Sequence, residues 1–336
     1  MKKIIAMILS LIMVLALTAC GSSAPAATEA PANAEAPAAD TFKVAIIQQL
    51  DHSSLDEIRN AIEAQLTALA TEKGVTIEFT YDNGQNDTSM LTQIATQVVA
   101  DKPDMIIPIA TLAAQYAVLA AEGTDIPIVY AAISDPEGAG LTGLKNVTGV
   151  SDALNTPFIL DMMMAAQPDV KTVGLLYSTS EINSEAPIAE AKAYLDAKGI
   201  AYIEKTGTTS GEIVEAAASL VGRAEAVFTP TDNAVMAAEA SVAELLNGSS
   251  IAHYTGADSF VQSGAFTTCG VNYTELGTKS ADIAFDILMG GEIGEFVVMD
   301  GGIITVNTDT AAACGIDYSV FNSMANTVNA VTTVVE

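Results

Sequence analysis

From Phe42 onward the chain alternates short apolar runs with amphipathic segments, and this alternation limits the fold more than any other feature. "FKVAIIQQL" reads as a strand. "SSLDEIRNAIEAQLTALATEKG" reads as a helix, because Leu55, Ile58, Ile62, Leu66 and Leu69 share one face. Ser54 and Glu57 have capping-box spacing, and Gly74 supplies a stop. "VTIEFTY" is a second strand, and a helix runs from about Thr88 to Ala100, closed by Pro103. "MIIPI" is a buried strand, followed by a helix from about Thr111 to Ala121 and the strand "IPIVYAAI". Such an order predicts a parallel, doubly wound sheet.

The order then repeats. "KTVGLLYS", "IAYIEKT", "AEAVFTPTD" and "SIAHYTGAD" read as strands. They are separated by the helices "SEAPIAEAKAYLDAKG", "SGEIVEAAASLVG" and "NAVMAAEASVAELLNG", with Thr209 and Glu212 spaced as another capping box. The expected fold class is therefore α/β, with two doubly wound parallel-sheet lobes. Beyond "TGAD", a helix near Gly277 to Met289 is expected to return to the first lobe, and "FVVMDGGIITVN" to form a hairpin. Ligands of open α/β sheets bind beyond the carboxyl ends of the strands. "QQLDHSS", "ATLAAQ", "YSTSEINS" and "TPTDNAV" all place hydroxyl, amide or carboxylate groups there, at helix starts.

Composition removes several classes of function. The formal net charge of -28 repels nucleic acid and anionic lipid. Arg59 and Arg223 are the only arginines, and both fall in or at the end of helical patterns, so an arginine fork for a phosphate or dicarboxylate is not expected. His52 and His253 lack metal-ligand spacing with any cysteine; no metal and no cofactor is expected. Cys269 and Cys314 either form a disulfide or are two small buried residues that never meet. There is no Ser-His-Asp order and no Gly-rich phosphate loop to suggest an enzyme.

The N-terminus "MKKIIAMILSLIMVLALTACGSS" has two lysines, a short apolar run and small residues before a cysteine. "LTAC" resembles the bacterial lipoprotein signal, with Cys20 lipidated after residues 1–19 are removed; an ordinary secretory peptide is the alternative. Residues 20–41 are rich in Ala, Pro and Glu and read as a disordered tether. The expected location is extracytoplasmic, lipid-anchored to the outer face of the bacterial cytoplasmic membrane.

"HSSLDEI", "IATLAAQ", "AAISDPEGAGL", "NVTGVSD", "LLYSTSEINS" and "TPTDNAV" together resemble the solute-binding lipoproteins of bacterial ABC importers. The branch with tryptophan- and phenylalanine-binding members is the most similar. The resemblance implies a type I periplasmic-binding fold with three hinge strands, closing on a small molecule that passes to an ABC permease. It places the first lobe at 42–150 plus 271–292 and the second at 151–270 plus 293–336, in a monomer. The implied ligand is an aromatic amino acid. A sugar or nucleoside, a secreted α/β enzyme, or a sensor domain are the alternatives. The loop around Asp258 and Phe260 departs from the family pattern at the cleft rim.

Each candidate residue carries two readings. Thr111 either caps its helix or presents free amides and a helix dipole to a carboxylate. Gln115, one turn on, either lines the same pocket or is exposed. Ser178, Ser180, Asn183 and Ser184 either form an ordinary turn or complete the carboxylate's coordination. Glu181 either caps, faces solvent or competes for an ammonium. Asp232 caps a helix, pairs with the ammonium, or does both, with Asn233 beside it. His52 and Ser53 either reach the ligand or lie exposed. Ser134 and Asp135 read as hinge or rim residues.

Overall fold

The computed structural model describes residues 40–334. The first lobe runs β1 (Thr41–Gln48), α1 (Ser53–Lys73), β2 (Thr76–Asn83), α2 (Thr88–Asp101), β3 (Met105–Ile109), α3 (Thr111–Ala120), β4 (Ile128–Ala131) and β5 (Val147–Ser151). The second begins with α4 (Thr156–Ala166), β6 (Thr172–Tyr177), α5 (Glu185–Lys198), β7 (Ala201–Thr206), α6 (Ser210–Ala218) and β8 (Ala226–Thr229). It continues with α7 (Asn233–Met236), α8 (Glu239–Gly248), β9 (Ala252–Thr255), α9 (Asp258–Gln262) and β10 (Thr267–Gly270). The chain finishes with α10 (Tyr273–Leu288), β11 (Val297–Val298), β12 (Ile303–Asn307), α11 (Thr308–Cys314) and β13 (Thr327–Val331).

The first sheet has the order β11-β5-β4-β3-β1-β2 and the second β13-β12-β10-β9-β8-β6-β7. The first is parallel throughout; in the second only β10 and β12 pair antiparallel. β3, β4 and β5 are buried along their whole length, which is why β3 and β4 read as continuous apolar runs. Edge strand β2 alternates, since helices cover only one of its faces. In the second lobe, Phe228, Tyr254, Phe266 and Phe321 fill the core, with Tyr254 and Phe266 edge to face at 5.3 Å.

The chain crosses between the sheets three times: from β5 to α4, from β10 to α10, and from β11 to β12. The expected hairpin does not form. Val297–Val298 adds to the first sheet beside β5, within the 293–336 stretch expected in the second lobe, and Ile303–Asn307 pairs with β10 in the second sheet. Gly302, at φ 94°, sits in the stretch that carries the chain across.

Two helix starts also differ from expectation. His52 is the cap residue of α1, so Ser54 lies inside the first turn, buried and with its hydroxyl unbonded. Ala110 precedes α3, making Thr111 its first residue rather than its cap. The Thr209 cap holds as expected, its Oγ1 accepting from Glu212 N at 3.3 Å.

Helix α10 returns to the first lobe and packs on α1. A Cβ at Gly277 would lie 2.6 Å from the Ile58 carbonyl oxygen and 2.7 Å from Ala61 Cβ, so the approach requires glycine. Gly277→Leu should wedge the two helices apart and cost about 1–3 kcal/mol or more, as overpacking commonly does. Denaturant unfolding measures this; an unchanged midpoint would show that the helices can separate freely.

Candidate functional site

The carboxyl ends of both sheets meet at a cavity of about 30 Å³. The first lobe lines it with His52, Ser54 and Leu55 after β1, Ala110 and Thr111 after β3, and Ala132 and Ser134 after β4. The second lobe contributes Asn183, Thr231, Asp232, Asn233, Met236, Ala257, Ser259 and Phe260. Asp152 and Tyr273 enter from the first two crossovers. Ala110 at φ 73° and Ala132 at φ 58° hold conformations that non-glycine residues rarely adopt. Each such residue costs on the order of 1–3 kcal/mol, and they cluster where backbone is bent toward a ligand. The Ala110 turn points the start of α3 at the cavity.

Beside the cavity, side chains bridge the lobes. Gln49 is fully buried; its Oε1 accepts from Leu112 N at 3.0 Å, which leaves its Nε2 to donate to Glu181 Oε1 at 2.8 Å. Glu181 Oε2 accepts from Asn233 Nδ2 at 2.9 Å, and Asn233 Oδ1 lies 3.1 Å from His52 Nε2, which therefore donates. Ser134 Oγ and Thr231 Oγ1 meet at 2.9 Å in a further contact between lobes. Burial pushes the Glu181 carboxyl up to about 8, and the neighbouring Asp232 charge adds to this. Burial also lowers the His52 imidazole below its ordinary value, against the pull of Asn233, Asp56 and Asp51.

Asp232 is engaged inside the second lobe. Its Oδ1 accepts from Val235 N at 2.9 Å, the capping bond of α7. Its Oδ2 accepts from Ser178 N at 2.6 Å and Ser184 Oγ at 2.7 Å. Burial raises this carboxyl above the usual range while the Ser178, Ser184 and Val235 donors oppose the shift.

The cavity's own polar atoms are different. His52 Nδ1, Ser54 Oγ, Asn183 Oδ1 and Ser259 Oγ are all buried without a hydrogen-bond partner. Native proteins leave few buried polar atoms unpaired, because each costs about 1–3 kcal/mol. Four such atoms gather on this one cavity.

Of the residues singled out from the sequence, His52, Thr111, Asn183, Asp232 and Asn233 line the cavity. The others do not. Ser53 is exposed on the first turn of α1. Gln115 donates to Ala139 O at 3.1 Å and faces a groove on the outside of the first lobe. Ser178 and Ser180 bond one another at 2.7 Å, Ser184 is turned onto Asp232, and Glu181 is taken up by Gln49 and Asn233. The 178–184 loop thus organises Asp232 more than it faces the cavity. Gln49, Asp152, Ser259 and Tyr273 were missed as site residues, while Ser54 reads from sequence only as a helix cap, Ser134 as a hinge or rim residue and Phe260 as a rim residue. Applying the strand-end rule to "AAISD", "GVSD", "TGADSF" and "GVNY" as well would have reached most of them. Cys269 and Cys314 are both free thiols.

The model of the ABC transporter substrate binding protein family matches residues 43–325, and the chain belongs to that family. It is thus a solute-binding protein rather than an enzyme, working outside the cytoplasm with a small-molecule ligand and an ABC permease as partner. A "Tyrosine-binding protein" of Clostridioides difficile is 33% identical over 277 residues, covering 80% of each chain. An ABC domain from Streptococcus pneumonia in complex with L-Trp is 28% identical, with a TM-score of 0.80 over 86% of this chain and 100% of that one. A ligand-free, open substrate binding protein with adhesive properties from Clostridium difficile is more identical, 31%, yet superposes less well, with a TM-score of 0.65 over 87% and 100%. The lobes here are drawn together by the bridges just described, and the poorer match to an open structure fits that geometry.

Closure should therefore be linked to protons. If the lobes part, Gln49 leaves Glu181 and water returns, and its pKa falls from about 8 toward the ordinary 4.5. The closed state then binds more protons between those values, so it is favoured at the acidic end and loses ground as pH rises through about 8. Calorimetry at about pH 7 in buffers of different ionisation enthalpy should show uptake of close to one proton when solute binds, abolished in Glu181→Gln. No uptake by the wild type would contradict this.

Proposed function

We propose that this protein captures an aromatic amino acid between its lobes and delivers it to an ABC importer, held at the membrane by a lipid on Cys20. The observation that carries the ligand reading is the set of four unpartnered polar atoms in a cavity that no lysine or arginine among the described residues lines. A zwitterion needs both donors and acceptors. The hydroxyls of Ser54 and Ser259 and the start of α3 at Thr111 suit a carboxylate without a basic residue. Asn183 Oδ1 and, in its neutral form, His52 Nδ1 accept from N–H or O–H groups. Leu55, Met236, Phe260 and Tyr273 give the same cavity apolar and aromatic walls. The relatives named for tyrosine and L-Trp support an aromatic side chain. One chain supplies the whole cavity, so a monomer suffices.

A cavity of about 30 Å³ is far smaller than the roughly 300–1,000 Å³ of ordinary ligand sites, so entry requires the lobes to separate. Saturation with tyrosine, tryptophan or phenylalanine should raise the melting temperature, since ligand at about 100 times its Kd adds about 2.7 kcal/mol. Sugars and nucleosides should leave it unchanged. A sugar or nucleoside as the sole stabilising ligand would refute the amino-acid reading.

The anchor rests on the sequence, because residues 1–19, Cys20 and nearly all of the 20–41 tether lie outside the described residues. Cys20→Ala should move the protein from the membrane fraction to the soluble extracytoplasmic fraction in fractionated cells. Retention at the membrane with the leader removed would refute lipidation at that position.

A further inference from the structure

Three carboxylates are buried in or beside the cleft, and they differ in what they have left to offer. Asp232 already accepts from three donors of its own lobe. Glu181 has each oxygen taken by an amide and does not line the cavity. Asp152 does line it and is only 6% exposed. Its bonds are long: Oδ1 accepts from Ser134 Oγ at 3.1 Å and Oδ2 from Tyr273 OH at 3.4 Å. Among the described residues, no lysine or arginine shares its cavity.

We infer that Asp152 is the partner of the ligand's α-ammonium group and sets the protein's requirement for an amine. The inference rests on the amino-acid reading of the site. Asp152 has a buried carboxylate, weakly held and lacking a counter-charge, with Asn183 Oδ1 as an unpartnered acceptor on the same cavity. An ammonium offers three N–H donors and a compensating charge, and a buried charge demands such pairing. Burial raises the Asp152 carboxyl above its ordinary range, with Ser134, the backbone and Tyr273 opposing.

The position adds a consequence for closure. Ser134 has one hydroxyl proton, which goes to Asp152, so at the 2.9 Å contact Thr231 is the donor. Hydroxyls of the first lobe (Ser134), the second lobe (Thr231) and the start of α10 (Tyr273) thus lead to a carboxylate on the first crossover. A cation at Asp152 strengthens each of these bonds' common anchor when both lobes are in place.

The test compares the aromatic amino acid that binds best with its deaminated 3-arylpropionate, by calorimetry on wild type, Asp152→Asn and Asp232→Asn. The wild type should bind the arylpropionate at least 100-fold more weakly. Asp152→Asn should lose about 30-fold or more in affinity for the amino acid, as expected on truncating a desolvated charge pair, and lose nothing for the arylpropionate. Asp232→Asn should instead lower the melting temperature and weaken both ligands alike. Should Asp152→Asn not fold, Tyr273→Phe, which keeps the carboxylate but removes a donor to it, should weaken the amino acid about 3-fold or more and spare the arylpropionate. Equal losses for the two ligands, or no loss, would overturn the Asp152 assignment alone. A wild type that binds no amino acid would remove the underlying reading and this assignment with it.

Discussion

Asp152, Glu181 and Asp232 are buried around a cavity that no lysine or arginine among the described residues lines, and how these carboxylates are stabilised decides much of the architecture. An isolated buried charge is too costly to keep, so each must be met by neutral donors, by a proton or by a ligand. Asp232 is met by donors from its own lobe, so its environment persists whether the lobes are together or apart. Glu181 takes one donor from each lobe and is complete only when they are together. Asp152 sits on a crossover with two long bonds and faces the cavity. The three thus grade from fixed structure, through closure, to ligand.

The backbone is arranged to the same end. Parallel strands deliver their loops to one side, and here the carboxyl ends of both sheets converge. Where β3 and β4 end, Ala110 and Ala132 adopt positive φ, a conformation that surrounding structure must enforce. Ala110 N bonds Ala131 O at 3.0 Å and Ala110 O accepts from Ala114 N at 3.1 Å, which fixes the turn from both sides. The strain is offset by a helix that starts at the cavity with Thr111, rather than one turn away from it.

The fold was legible because buried parallel strands and amphipathic helices write their periodicity into the chain. Besides two helix caps, the third crossover departs from the sequence reading, since "FVVMDGGIITVN" has the composition of a hairpin and nothing local says that its two arms join different sheets. The site was half legible. The strand-end rule located His52, Thr111, Asn183, Asp232 and Asn233, but rotamers decide which side chains of a loop turn inward. In the 178–184 loop Asp232 draws Ser178 N and Ser184 Oγ to itself, which no spacing reveals. Gln49 was hidden in a different way. At the end of an apolar strand it reads as the start of a loop, and its role depends on Leu112, 63 positions along the chain.

These geometries bear on how a solute controls the lobes. The bridges between them are Gln49 to Glu181, His52 to Asn233 and Ser134 to Thr231. Neutral hydrogen bonds contribute about 0.5–1.5 kcal/mol each net of water, and bonds to a charged group about 1.5–3. Against them stands the desolvation of Glu181, reflected in its raised pKa, and the unpaired atoms His52 Nδ1, Ser54 Oγ, Asn183 Oδ1 and Ser259 Oγ. The bridges and these costs oppose one another in the solute-free closed state. A ligand shifts such an equilibrium only by its difference in affinity for the two states. The unpaired atoms supply that difference, because they belong to both lobes and converge only when the lobes meet: His52 and Ser54 from the first, Asn183 and Ser259 from the second. A solute that satisfies one lobe alone can bind without closing the protein, and one that satisfies both removes the desolvation cost that holds the closed state in check.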